Sequence, residues 1–382
     1  MNISKFVTPE IIFGCGALSQ LGESAARLGA SRVFVVSDAG VIAAGWIEPA
    51  LDYLHSAGLA TEVFAELTTN PKDYEVVAGV KQYLAAGCDA IVAVGGGSPT
   101  DVAKAIALLA TNGGRLQDYE GINKIGRPLP PMVIAPTTAG AGSEVSQFAI
   151  IVDAERQLKM SIISKSLVPD IAIVDPELLR TKDSRLTAAT GMDALTHAVE
   201  SFVSLAATPL TEMHALKAIE LIARSLHRAV VDRNDVEANT DMAMASMIAG
   251  IAFSNAILGA THAMTHQVDG LIDQHHGETN AAILPHVMAY NLPACPEKFC
   301  RIAQALGVVV SGMSSETAAK MAITSISELI EVIGLDRGLT EIGLRPEDIP
   351  QLSRNAVKDA CLVTNPRSAS VVDIENLFRQ AL

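Results

Sequence analysis

The sequence predicts an α/β N-terminal half, built on a Rossmann-like parallel sheet, followed by an all-α C-terminal half. Three observations predict it. Short, nearly continuous apolar runs alternate with helical patterns up to about residue 180. A glycine cluster, Gly95–Gly96–Gly97, stands between one such run and a helix. Beyond residue 184 the apolar spacing becomes helical and Ala-rich, and eight of the nine histidines fall there.

The expected strands are residues 33–37 (VFVVS), 61–64, 90–94 (AIVAV), 132–135 (MVIA) and 171–174. Apolar strands spaced by helices indicate a parallel sheet covered on both faces. Helical spacing is clear over 101–111, 213–226 and 240–257. With 382 residues the chain exceeds the usual size of one core, so two domains are expected, 1–182 and 183–382. No linker separates them in composition, which predicts a tight boundary with a ligand cleft there.

Composition narrows the function classes. Apolar residues make up 49% and charged residues 18%, which excludes a disordered chain. A net charge of −14, with no basic cluster, disfavours nucleic-acid and anionic-membrane partners. Five cysteines without a CxxC pair predict reduced thiols and a cytoplasmic location. The N-terminus has no apolar core segment of the kind a secretory signal carries. Residues 242–260 carry no charge over 19 positions, but their Ala, Ser, Gly and Asn content predicts a buried helix rather than a membrane span.

Asp193 and His197 in GMDALTHAVE, with His262, His266, His275 and His276 in THAMTHQVDGLIDQHHGE, are the strongest chemical signal. A spacing of four stacks two side chains on one helix face. A carboxylate with several imidazoles suits Fe(II), Zn(II) or Mn(II). Taken singly, each of these histidines reads more readily as a satisfied core or helix-surface residue. Two such pairs and an HHG within 84 residues favour a metal. Spacing does not choose the ligands among the six candidates, nor say which histidine handles protons.

Gly95–Gly96–Gly97–Ser98 lets backbone approach a phosphate at a helix N-terminus, with Ser98 or Thr100 as the expected cap. The glycines follow the third clear strand, so this is not the usual GxGxxG fingerprint. Asp38 ends the first clear strand, where a carboxylate can accept from an adenosine ribose; an ordinary turn residue is the competing reading. Residues 136–144 (PTTAGAGSE) form a second loop of small and hydroxyl residues. Met242, Met244 and Met247 read as core filler.

Taken together these stretches resemble the iron-dependent (group III) alcohol dehydrogenases, the family of lactaldehyde reductase and 1,3-propanediol dehydrogenase. The resemblance runs from residues 9–22 (PEIIFGCGALSQLG) through GGGSPTDVAKA, PTTAGAGSEV, IVDPEL, GMDALTHAVE and 253–286 to Asn365–Pro366–Arg367. It implies a dehydroquinate-synthase-like architecture and one divalent metal, usually Fe(II) with Zn(II) possible, held by Asp193, His197, His262 and His276. His266 matches a histidine near the metal but off it, a candidate proton relay. His275 stands where relatives often carry Pro.

The resemblance further implies NAD(H) binding by Gly95, Gly96, Gly97 and Ser98 at the pyrophosphate and by Asp38 at the ribose. Thr137, Thr138, Asn70 and Lys159 are further expected contacts. Asp38 favours NAD(H) over NADP(H). Phe253 is expected to shape the substrate pocket, with Gln147 and Cys361 nearby. The implied activity is reversible hydride transfer between a small alcohol or diol and its carbonyl product, in a homodimer or larger assembly. The alternative is an NAD-using lyase or cyclase on the same scaffold. It would need Lys and Arg near the metal for a phosphorylated substrate, and segments 191–200 and 253–286 contain none.

Overall fold

The computed structural model describes residues 5–156, 158–272 and 274–382. They form two compact units, Val7–Thr181 and Lys182–Leu382, the latter joined by residues 5–6. Phe6 belongs with the second unit because its ring lies 5.8 Å from that of His214.

The first unit carries strands β1 (Glu10–Phe13), β2 (Arg32–Val36), β3 (Ala60–Phe64), β4 (Ala90–Gly95), β5 (Gly121–Ile122), β6 (Met132–Pro136), β7 (Phe148–Asp153), β8 (Leu158–Ile163) and β9 (Ile171–Val174). Its helices are α1 (Leu21–Arg27), α2 (Ala39–Ala43), α3 (Ile47–Ser56), α4 (Asp73–Ala86) and α5 (Gly97–Asn112). Six strands pair in parallel in the order β1-β9-β6-β4-β2-β3.

The apolar runs are continuous because both sheet faces are covered. Phe34, Val36, Ile91, Ala93 and Ile134 pack on one side with Val102 and Ile106 of α5. Their alternates Val33, Val35, Val92, Val94 and Val133 pack on the other with Leu21 and Leu54. Burying both alternate sets leaves no polar stripe on the strand. The sequence pattern did not reveal β1, β5, or the antiparallel β7–β8 pair, which belong to the sheet edge and to a separate sheet of three strands.

Three strand ends carry the candidate loops. Gly95 at the end of β4 is in register with Pro136 at the end of β6. Ser37 Oγ donates to the Val94 carbonyl at 2.7 Å, tying the Asp38 end of β2 to the glycine end of β4. Helix α5 begins at Gly97, four residues before the helical spacing becomes visible. The expected cap is corrected: Gly96 is the N-cap, Ser98 lies in the first turn, and the Thr100 hydroxyl bonds back to the Gly96 carbonyl at 2.9 Å.

The second unit is helical: α6 (Ser184–Val203), α7 (Pro209–Val231), α8 (Val236–Ala256), α9 (Ala260–Leu271), α10 (His276–Asn291), α11 (Pro296–Ala305), α12 (Ser315–Val332), α13 (Ile349–Ala356) and α14 (Val371–Gln380). Asp183, Thr208 and Asp235 cap α6, α7 and α8 by accepting backbone N–H groups. Among the described residues no single helix is long and apolar enough to cross a membrane. The uncharged window 242–260 is broken at its end, where α8 and α9 meet at 102°.

That corner is made by Ile257, a β-branched residue at φ +61°. The strain is held from both sides. Ser204 Oγ donates to the Ala256 carbonyl at 2.6 Å and Thr364 Oγ1 to the Leu258 carbonyl at 2.7 Å. The turn brings the start of α9 against Glu200 of α6, whose carboxylate accepts from the Gly259 N–H at 3.1 Å.

Candidate metal centre and cofactor loops

Asp193 and His197 lie one turn apart on α6, His262 on the first turn of α9, and His276 opens α10. Their side chains converge. The Nε2 atoms of His262, His197 and His276 lie 3.5, 3.6 and 3.7 Å from Asp193 Oδ1. The ligand atoms of Asp193, His262 and His276 all fall within 4.8 Å of one another. With metal–ligand bonds of about 2.0–2.2 Å, the edge of a coordination tetrahedron is about 3.4 Å. The separations are therefore those of ligands around a cation.

The chemistry of the donor set agrees. His262 Nε2 is buried and has no hydrogen-bond partner among the described residues. A buried lone pair without a donor is costly unless a cation takes it. His262 Nδ1 lies 2.7 Å from Glu200 Oε2, and His276 Nδ1 is hydrogen-bonded to Asp269 Oδ2. A carboxylate only accepts, so each Nδ1 carries the proton and each Nε2 presents its lone pair inward. Asn280 Nδ2 donates to Asp193 Oδ1 at 2.9 Å and holds that carboxylate. These residues fit one divalent metal.

The electrostatics follow. Burial opposes ionisation of Asp193, but the surrounding imidazoles outweigh it and hold its carboxyl well below the usual range. Burial likewise opposes a charge on His262, yet the facing carboxylates of Asp193 and Glu200 raise it to about 9, so the site favours positive charge. Glu200 is lowered because its bonds to His262 and Thr261 overcome burial.

Helix packing fixes this geometry. A Cβ on Gly277 would sit 1.7 Å from the Ala189 carbonyl oxygen, so only glycine lets α10 close onto α6 one turn before Asp193. Arg185 clamps the same contact through two bonds to Glu278, at 2.6 and 2.8 Å.

The other expected residues are distributed around this group. His266 is buried, with Nδ1 3.0 Å from Asp359 Oδ2 and its ring centroid 5.7 Å from that of His276. Phe253 stacks on His197 at 4.3 Å between centroids. Cys361 is buried beside Asp359 and His266. His275 is exposed at the N-cap of α10. The residues that sequence reasoning missed are Glu200, Asp269, Asn280 and Asp359. Glu200 and Asp269 lie inside the quoted motifs, and the general need of a ligating imidazole for a carboxylate on its other nitrogen was the available signal.

In the α/β unit the two small-residue loops abut. The Thr137 N–H donates to the Gly95 carbonyl at 3.0 Å. A Cβ on Gly96 would meet Thr138 at 3.2 Å, and one on Gly97 would meet Ala141 at 3.0 Å. Glycine thus lets the loops pack together, and the α5 N-terminus has no side-chain cap to occupy its N–H groups. Asp38 caps α2, accepting from Val41 N at 2.9 Å. Asn70 holds φ +52°, Lys159 lies in β8 opposite Val152, and the carbonyl of Gln147 accepts from Ser164 N at 2.9 Å.

Beneath these loops Lys104 is fully buried, donating to the carbonyls of Ser146 and Phe148 at 2.8 Å each. Burial drives it down to about 8, and drives Asp101 up to about 6 and Glu144 up to about 7.

A parallel sheet with glycine-lined strand ends and a helical unit bearing a one-carboxylate, three-imidazole group define a dinucleotide- and metal-using class of protein. Residues 8–176 match the family described as iron-containing alcohol dehydrogenase, and residues 187–382 match the C-terminal part of the Fe-containing alcohol dehydrogenase family. The chain is 42% identical to the NAD-dependent methanol dehydrogenase of Bacillus methanolicus over 99% of each chain. It is 43% identical to the 1,3-propanediol dehydrogenase of Klebsiella pneumoniae over 98% of each. A solved 1,3-propanediol oxidoreductase superposes with a TM-score of 0.97 at 42% identity, covering 100% of both chains. The chain belongs to the iron-containing alcohol dehydrogenase family, and its architecture is the dehydroquinate-synthase-like one expected from the sequence.

Proposed function

We propose that this protein is a metal-dependent, NAD(H)-linked dehydrogenase that interconverts a small primary alcohol or diol and its aldehyde or ketone. The convergence of three imidazole Nε2 atoms on Asp193 Oδ1 carries the reading. Asp193, His197, His262 and His276 hold the metal. Fe(II) is the first choice, and Zn(II) suits the same donors. A divalent cation there supplies Lewis-acid polarisation of the substrate oxygen, and a nicotinamide cofactor supplies the hydride acceptor.

The rest is the work of the chain's own residues. Glu200 and Asp269 keep the ligand lone pairs aimed at one point. His266 sits off the ligand group and takes or returns the hydroxyl proton as a general base or acid. Phe253 and Cys361, in the helical unit, limit the substrate to a small one. Gly95, Gly96, Gly97 and Ser98 receive the pyrophosphate at the N-terminus of α5. Asp38 accepts from the ribose and repels a 2′-phosphate, with Thr137, Thr138, Asn70 and Lys159 as further contacts. The names of the two relatives support methanol-sized alcohols and short diols. A lyase acting on a phosphorylated acid is disfavoured by the lack of Lys and Arg in 191–200 and 253–286. The protein acts in the cytoplasm, as a homodimer or larger homo-oligomer, without nucleic-acid or membrane partners.

The test is absorbance at the NADH band with a panel of alcohols and carbonyl compounds, after anaerobic loading with Fe(II) and separately with Zn(II). Turnover with a short alcohol or diol is expected. A fully metallated protein that never changes NADH absorbance with any of them overturns the reading.

A further inference from the structure

We propose that Asp359 is a positioning residue that locks His266 in one tautomer, making Nε2 its only proton-accepting nitrogen; this deepens the dehydrogenase reading and rests on it. Asp359 lies 93 residues from His266 in sequence, just before the short turn Ala360–Thr364, and both side chains are buried, at 6% and 5% exposure. Its two oxygens have separate duties. Oδ1 accepts from the Cys361 N–H at 2.9 Å, which fixes the carboxylate to its own turn. Oδ2 faces His266 Nδ1 at 3.0 Å and also takes Gln267 Nε2 at 3.4 Å.

An ionised carboxylate has no proton to give, so Nδ1 must be the donor and Nε2 keeps the lone pair. The ring is held in place as well. His266 follows His262 by one turn of α9, and its plane lies within 17° of that of His276. A base held in one orientation loses no time or free energy to a wrong tautomer. In alcohol oxidation the hydroxyl proton passes to Nε2 while the hydride leaves carbon with its electron pair for the nicotinamide. The imidazolium so formed keeps its Nδ1–H on Asp359 and releases the Nε2 proton to water. Reduction runs the same transfers backwards.

The decisive variant is Asp359→Asn. Its amide oxygen can keep the Cys361 N–H, which turns the NH2 toward His266 Nδ1. That nitrogen must then accept, and the proton moves to Nε2. In the Zn(II)-loaded protein, 15N NMR of labelled histidine should show His266 change from the Nδ1–H to the Nε2–H form. The kcat should fall by about 10²–10⁴-fold, as expected for a general base in the wrong tautomer, with KM and bound metal unchanged. Asp359→Glu should restore part of the activity, and Asp359→Asn should add nothing in a His266→Ala background. An unchanged tautomer in Asp359→Asn, or a kcat within about twofold of the parent, overturns the proposal. If the parent protein turns over no alcohol or carbonyl compound, the dehydrogenase reading fails instead, and the NMR readout still decides whether Asp359 governs His266.

Discussion

Glu200 on α6 and His262 on α9 meet through a 2.7 Å contact between Oε2 and Nδ1, and the same carboxylate caps the helix that carries the histidine. Its oxygens also accept from the N–H groups of Gly259 at 3.1 Å and Thr261 at 2.6 Å. One side chain therefore sets both the backbone position and the ring tautomer of a candidate metal ligand. The strained corner at Ile257 is what delivers the N-terminus of α9 to it.

Replacing Glu200 by Gln should weaken metal binding by about 10–100-fold, the usual cost of losing a carboxylate behind a ligating imidazole. Competition with a chromophoric chelator measures this directly. An unchanged metal affinity would remove Glu200 from the support of the site.

His262→Ala and His276→Ala should lose metal and activity together. Elemental analysis of the purified variants checks it, and full metal occupancy in either would strike that residue from the ligand set.

Gly277→Ala should destabilise the protein by at least about 1–3 kcal/mol, the range for a side chain forced into a packed contact. The added methyl meets the rigid Ala189 carbonyl, so α10 must withdraw from α6 and take His276 with it. Thermal melting with and without metal should show both a lower Tm and a smaller gain on metal addition.

Asp38→Gly should raise the use of NADP(H) relative to NAD(H). It removes the carboxylate and also the cap on Val41 N, so the preference is read as a ratio of kcat/KM values within the one variant. An unchanged ratio would mean that Asp38 does not meet the ribose.

Glu144 gives a pH signature. Burial pushes its folded pKa up to about 7, above the ordinary value of 4.5. The folded state then holds a proton that the unfolded state releases. Its contribution is fully present below about pH 4.5 and is lost as pH rises through 7. Glu144→Gln should therefore lose less stability than the parent between pH 4.5 and 7 in denaturant titrations. Parallel curves for the two would show that Glu144 is ionised throughout.

Much of the fold was legible because it rests on local period. The runs at 33–37, 90–94 and 132–135 became β2, β4 and β6 since both alternate sets of side chains are buried. Asp193 with His197, and His262 with His266, were legible as pairs because a helix places residues four apart on one face. What no local pattern carried were the partners remote in the chain. Glu200 is 62 residues from His262, Asn280 is 87 from Asp193, and Asp359 is 93 from His266.

The sequence by itself determined the α/β and helical halves, the glycine-lined strand end and the set of candidate ligands, since these depend on residue type and short-range spacing. Only the tertiary structure decided that His266 turns to Asp359 while His197, His262 and His276 turn to Asp193. That choice comes from how α6, α9, α10 and the turn at Asp359 pack. A ring's direction depends on which carboxylate the fold sets beside its other nitrogen, and for His262 and His266 that neighbour is remote in the chain.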